Sequence, residues 1–235
     1  YTSVPVTGFN NDIIANGIGA TNTATTGSTP GVTYPTIGTD GNGPGAYTLV
    51  DNTYKWYSGG TQATCGVPTN VPSAITSGLT YVTQSASANN VMTITSNTYS
   101  GNPFSTSGTL SLSTPASYSK LYVLYESVLN AGSPYINATI TFTDLSTQVV
   151  NNNSIVNWFT ATNVAYPTAG QGATLQRMNN AAPGTPSTCA TTGPYLFEMP
   201  LTILPANWGK QVQSITFSWS NISGTTVNTV NYFHF

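Results

Sequence analysis

Six carboxylates, four basic side chains and one histidine are the whole charged repertoire of this 235-residue chain, so any chemistry must be built from very few groups. Hydrolysis of a glycosidic bond needs two carboxyl groups facing each other at roughly 5–10 Å. Asp12 with Asp144 or Glu198 is the pairing available, and no spacing in the chain brings them together. A nucleophilic triad needs a base, and the one histidine, His234, stands between Phe233 and Phe235, which suits an end strand or an interface. No grouping of Cys, His and Asp has zinc-ligand spacing. The run from Asp40 through Asn42, Pro44 and Gly45 to Asp51 imitates a calcium loop, with oxygen ligands at its first, third and twelfth places and Gly at its sixth. Pro44 occupies a ligand place, so a Gly/Pro turn is the default reading and calcium at Asp40, Asn42 and Asp51 the alternative. The expectation is a non-enzymatic protein without a cofactor.

The remaining ions read as structural. In a chain that lacks surface charge, Asp12, Lys120, Asp144, Arg177, Glu198 and Lys210 are expected to pair with one another and fix register or loop docking, because buried ions need partners. Aromatics offer a different chemistry. Alternation along Tyr54-Lys55-Trp56-Tyr57 puts Tyr54 and Trp56 on one face and Lys55 and Tyr57 on the other, and Trp158-Phe159 forms a second cluster. Tyr54, Trp56, Tyr57 and Trp158 are candidates for stacking on a sugar ring, since an aromatic face is flat and apolar with a polar edge. The competing reading places Trp56 and Trp158 in the core. Trp208, in a turn before Gly209, is a further exposed-ring candidate.

The elements that must carry these residues are strands. Ile136, Ala138, Ile140 and Phe142 alternate with Asn137, Thr139, Thr141 and Thr143, a half-buried strand by its period of two. Ile215, Phe217 and Trp219 alternate with Thr216, Ser218 and Ser220 in the same way, as do Leu110 and Leu112 with Thr109, Ser111 and Ser113. Leu121 to Leu129 is apolar on both faces, as a central strand is. With further runs near 4–9, 46–57, 79–83, 91–95, 147–151, 196–203 and 226–235, the pattern predicts about a dozen short strands. The expected fold is all-β, a two-sheet antiparallel sandwich of jelly-roll-like form, in one domain over 1–235. Gly17 to Gly45 and Thr160 to Gly193 are dense in Gly, Pro, Asn and Thr and read as two long ordered loops in contact with something.

Composition bounds the partners. Charged residues make up 4% of the chain, against about 25% in an ordinary soluble domain. Solvation must therefore rest on Thr, Ser, Asn and backbone amides. A net charge of −2 gives no basic footprint for nucleic acid. No apolar run approaches the ~20 residues that span a bilayer, so no membrane insertion is expected. The chain opens at Tyr1, as a mature secreted chain does after signal-peptide removal. Its two cysteines, Cys65 and Cys189, are expected to form a disulfide in that setting.

A family likeness adds to this reading. The opening Val6-Thr7-Gly8-Phe9-Asn10-Asn11-Asp12-Ile13-Ile14-Ala15-Asn16-Gly17 resembles the start of secreted β-sandwich modules of Bacteroidetes cell-surface proteins. Blocks at Ile75–Tyr81, Tyr118–Leu124, Thr141–Asp144, Asn157–Phe159 and Gly209–Phe217 resemble that family's later segments, in order. The resemblance implies a sandwich fold, a cell-surface location and export linked to type IX secretion, and it supplies no catalytic residues.

These features lead to two expectations. One is an extracellular structural or adhesive subunit that associates with its own copies or with other surface proteins into a filament, sheath or layer. Its joining elements would be the uncharged termini, Tyr1, Val4 and Val6 at one end and Val230, Tyr232, Phe233 and Phe235 at the other, acting as added strands. The other is a carbohydrate-binding module that uses exposed aromatics against a glycan.

Overall fold

The computed structural model describes residues 1–17, 47–55, 60–96, 104–129, 135–160, 164–166, 175, 177–179, 193–220 and 232–235. The fold is all-β, and no α-helix occurs among the described residues. The chain divides into two compact units, each assembled from separated segments.

The unit made of Thr2–Phe9, Met92–Asn157 and Glu198–Phe235 is a sandwich of two sheets. One sheet has the order β1-β7-β14-β9-β10, formed by Val6–Thr7, Ser107–Ala116, Val212–Ser220, Tyr135–Phe142 and Thr147–Ser154. Every pairing in it is antiparallel. The predicted alternation is realised: along β9 half-buried and buried residues alternate without a break, and Ile136, Ala138, Ile140 and Phe142 are fully buried. The second sheet runs β13-β8-β15-β6, formed by Leu196–Thr202, Lys120–Val128, Tyr232–His234 and Thr93–Thr95. β8 is an interior strand, as its apolar faces require.

Rings join the two sheets. Phe235 packs on Phe217 of β14 at 3.9 Å between centroids, and Phe233 of β15 packs edge-on to Trp219 of β14 at 6.3 Å while stacking on Tyr125 of its own sheet at 4.9 Å. Close approach also selects Gly108 on β7. A Cβ there would lie 2.6 Å from the Met92 sulfur and 3.0 Å from an Ile94 methyl, closer than packed atoms allow.

The other unit, Tyr1 with Asn10–Val91 and Trp158–Phe197, holds shorter strands. A three-stranded sheet has the order β12-β3-β2, from Arg177–Asn179, Tyr47–Val50 and Ile14–Ala15, with β2 parallel to β3. A hairpin joins β4, Asn70–Pro72, to β5, Thr80–Val82. β11, Val164–Tyr166, pairs with Leu196 and Phe197 at the start of β13. Two of these strands correct the loop reading of Thr160 to Gly193, which contains β11 and β12. Three residues each are too few to display a period. Apart from Gly17, the stretch Gly17 to Gly45 lies outside the described residues.

Candidate functional site

In the sandwich unit the most distinctive surface is the outer face and free edge of the β10 side. Register sets out the outer face in rows of hydroxyls. Thr7, Ser111, Ser214, Thr141 and Thr147 are successive partners across all five strands, and Thr109, Thr216, Thr139 and Val149 follow in the next row. The Thr109 and Thr216 hydroxyls lie 2.8 Å apart. Neither row contains a charge. β10 then ends the sheet as an edge of sequence Thr-Gln-Val-Val-Asn-Asn-Asn-Ser, free of Lys, Arg, Asp, Glu and Pro, whose register shifts between Val150 and Asn153 so that Thr147–Val150 is its regular part. Sheet proteins ordinarily protect an edge of this length with such residues.

Exposed apolar side chains collect at one end of this edge. Leu145, 80% exposed, occupies the β9–β10 turn, and Val149, 49% exposed, lies on β10 itself. Leu145 has φ 65°, in the left-handed region that costs a branched side chain strain. Leu204 and Trp208, 56% and 52% exposed, belong to the loop around the 3-10 turn Pro205–Asn207.

Hydrogen bonds fix that loop against β10. The buried Gln148 donates from Nε2 to the Thr202 carbonyl at 2.8 Å, and its Oε1 accepts from the Leu204 amide at 2.9 Å and Asn207 Nδ2 at 3.0 Å. The Trp208 indole donates to the Ile203 carbonyl at 2.8 Å, which holds the ring in one orientation. Lys210 closes the group, with Nζ 3.0 Å from Asp144 Oδ2 and 2.6 Å from the Ser146 hydroxyl. The Ser146 hydroxyl and amide, with the Lys210 ammonium, hold the Asp144 carboxyl down at about 2.

The expected ion pairs are realised in part. Asp144 and Lys210 pair as anticipated. Lys120 instead lies over the Tyr122 ring at 5.6 Å. Asp12 takes an amide partner in place of a cation: Asn90 Nδ2 donates to its Oδ1, while Asn90 Oδ1 accepts the Ile13 amide at 3.1 Å. Burial pushes the Asp12 carboxyl up to about 6, against the opposing pull of the Asn90 amide and the Ile14 backbone. Glu198 is half-buried on β13, and Arg177 is placed by its backbone opposite Leu49. A buried carboxyl that the pattern did not single out is Glu126, on β8 in register with His234.

Other expectations are corrected. Tyr54 and Trp158 are 1% and 2% exposed, so both rings fill the core and neither can stack on a sugar. Trp56 and Tyr57 lie outside the described residues. The C-terminal segment is no edge: β15 has β8 on one side and β6 on the other, because Phe233 and Phe235 are required in the core. At the N-terminus β1 keeps an open side: it pairs with β7 alone, Val6 opposite Leu112 and the Pro5 carbonyl accepting from Ser113 at 2.9 Å, and so forms the other edge of that sheet. Tyr1 is exposed and Val4 is half-buried. Val230 lies outside the described residues.

Cys65 is disulfide-bonded, and the chain's one other cysteine is Cys189, itself outside the described residues. Of the calcium alternative, Asp40 and Asn42 also lie outside; Asp51 closes a turn on Thr53. Among the described residues no three or more His, Cys, Asp and Glu side chains gather as a metal site, and no helix is long and apolar enough to cross a membrane. Comparison with family models, with curated proteins and with solved structures returns no match.

Proposed function

We propose that this protein is an extracellular structural or adhesive subunit that self-associates into a filament, sheath or surface layer, with β10 of one copy adding antiparallel to β10 of the next. The observation that carries this reading is the uncharged, Pro-free β10 edge with Leu145 and Val149 exposed beside it. An edge strand presents unpaired amides and carbonyls, and a second identical edge satisfies them across a two-fold axis, which joins copies in pairs; the other edge strand of the same sheet, β1, carries the contact from one pair to the next. With no charge on either row of the adjoining face, two copies approach without repulsion. The disulfide at Cys65 supports an oxidising, extracellular setting, and the resemblance to secreted Bacteroidetes modules supports export to the cell surface.

The test is sedimentation velocity over a concentration series on the natural chain and on Val149→Lys and Thr216→Lys. The first variant places a charge at the β10 edge, the second in the middle of the hydroxyl face. The proposal expects oligomers larger than a pair in the natural chain, their loss in Val149→Lys and their persistence in Thr216→Lys. A natural chain that stays monomeric at every concentration refutes it.

A further inference from the structure

The unit containing β2 and β3 has a cleft of about 590 Å³ whose lining includes Ile14, Asn16, Asp51, Thr53, Val67 and Gln84. That volume falls within the range of small-molecule sites. Its chemistry is specific. Ile14 and Val67 are the buried apolar members, small enough to match the C–H patch of one sugar ring. Around them are hydroxyls and amides. Among the described residues the lining has one ionisable side chain, Asp51, and no cation. A single negative charge disfavours phosphates, uronates and other anions. The hydroxyls and amides that share the lining with these apolar groups disfavour lipids.

The carboxylate is held in place from several sides. Asp51 Oδ1 accepts both the Thr53 amide at 2.8 Å and the Thr53 hydroxyl at 2.7 Å, which leaves Oδ2 without a partner among the described residues. The Asp51 amide bonds the Ala15 carbonyl at 2.9 Å, and the Gly17 amide bonds the Thr53 hydroxyl at 2.9 Å. From the other side, Asn52 Oδ1 accepts the Gly66 amide at 2.6 Å. Only glycine fits at that position, since a Cβ on Gly66 would lie 2.2 Å from the Asp51 carbonyl carbon. Asn16 ties in the 83–87 segment, its Nδ2 donating to the Ala86 carbonyl. Gln84 is exposed on the same segment and spends no side-chain hydrogen bond on the described residues. A fixed carboxylate acceptor and an amide that both donates and accepts, lining one cleft, suit the hydroxyls of a sugar, which themselves donate and accept.

We infer that this cleft binds a neutral oligosaccharide, with Asp51 accepting from ligand hydroxyls and Gln84 offering both a donor and an acceptor from the 83–87 segment. The inference is independent of self-association through β10.

The test is isothermal titration of the full chain with neutral hexasaccharides (cello-, xylo-, manno-, laminari- and chitohexaose), with hexagalacturonate as the anionic comparison. The Asp51→Asn variant keeps an oxygen for Thr53 and so preserves the turn. Binding of at least one neutral hexasaccharide is expected, weakened about tenfold or more by Asp51→Asn, as loss of a charged hydrogen bond implies, and several-fold by Gln84→Ala. Val149→Lys is expected to leave it unchanged. The inference is overturned if none of the neutral hexasaccharides binds, if hexagalacturonate alone binds, if Asp51→Asn binds as tightly as the natural chain, or if Trp208→Ala abolishes binding that Asp51→Asn leaves intact.

Discussion

Lys210 Nζ lies 3.0 Å from Asp144 Oδ2 and 2.6 Å from the Ser146 hydroxyl, and through these two contacts the loop carrying Trp208 is fastened to the turn carrying Leu145. Two of the chain's ten charged residues are thus committed to one exposed end of a sandwich whose outer face has none in its central rows. The Asp144 carboxyl is lowered from 3.8 to about 2. A lowered carboxylate stabilises the fold above its unfolded value and loses that contribution as the pH falls from about 4 through 2. In acid titration followed by circular dichroism, Asp144→Asn is expected to be less stable than the natural chain at neutral pH and to converge with it near pH 2.

The same loop is fastened from inside by Gln148, and that bond should matter more. Gln148→Ala leaves the Thr202 carbonyl and the Leu204 amide without their side-chain partner. Loss of about 2–4 kcal/mol is expected in urea unfolding, as for buried backbone groups stripped of hydrogen bonds. Gln148→Glu keeps the acceptor but turns a buried carboxylate oxygen toward the Thr202 carbonyl, so at neutral pH it should cost at least as much, and less in acid where the protonated carboxyl can donate.

Asp12 predicts the opposite pH slope from Asp144. Its carboxyl is raised from 3.8 to about 6, chiefly by burial. The folded state therefore holds its proton more tightly than the unfolded chain, and stability falls as the pH rises from about 4 to 6. Thermal melts from pH 7 to 4 should show a rising midpoint in the natural chain. Asp12→Asn, which preserves an acceptor for Asn90, should flatten that segment of the profile.

Much of the sandwich was legible because one buried face imposes a period. β9 and β14 were read residue by residue from Ile136–Phe142 and Ile215–Trp219, and β8 from its continuous apolar run. β2, β4, β11 and β12, at two or three residues each, carry no period and were missed. Tyr54 and Trp158 could not be assigned, because an aromatic suits both a core and a platform until its neighbours are known. The termini were misjudged in one respect: an uncharged extended segment looks the same whether it forms an edge or, as with Phe233, the centre of a sheet. Val149 did leave a signal, an apolar residue at a solvent-facing register position. The Asp51 cleft left none, since its lining comes from segments near residues 14–17, 51–53, 67–69 and 83–87, which only the fold assembles.

Leu145 combines exposure with a positive φ, and neither benefits the isolated fold. Leu145→Asn should raise stability by about 1 kcal/mol, because Asn tolerates the left-handed region. If the leucine is retained for contact between copies, the same variant should weaken self-association. Denaturant unfolding and sedimentation on one preparation check both signs.

The most direct test of self-association through β10 is hydrogen exchange of the Thr147–Val150 amides on the natural chain at low and high protein concentration. The account predicts protection that rises with concentration and is concentrated in β10, with the interior strands β9 and β14 unchanged. Oligomers that form while β10 exchanges at the dilute rate would contradict it.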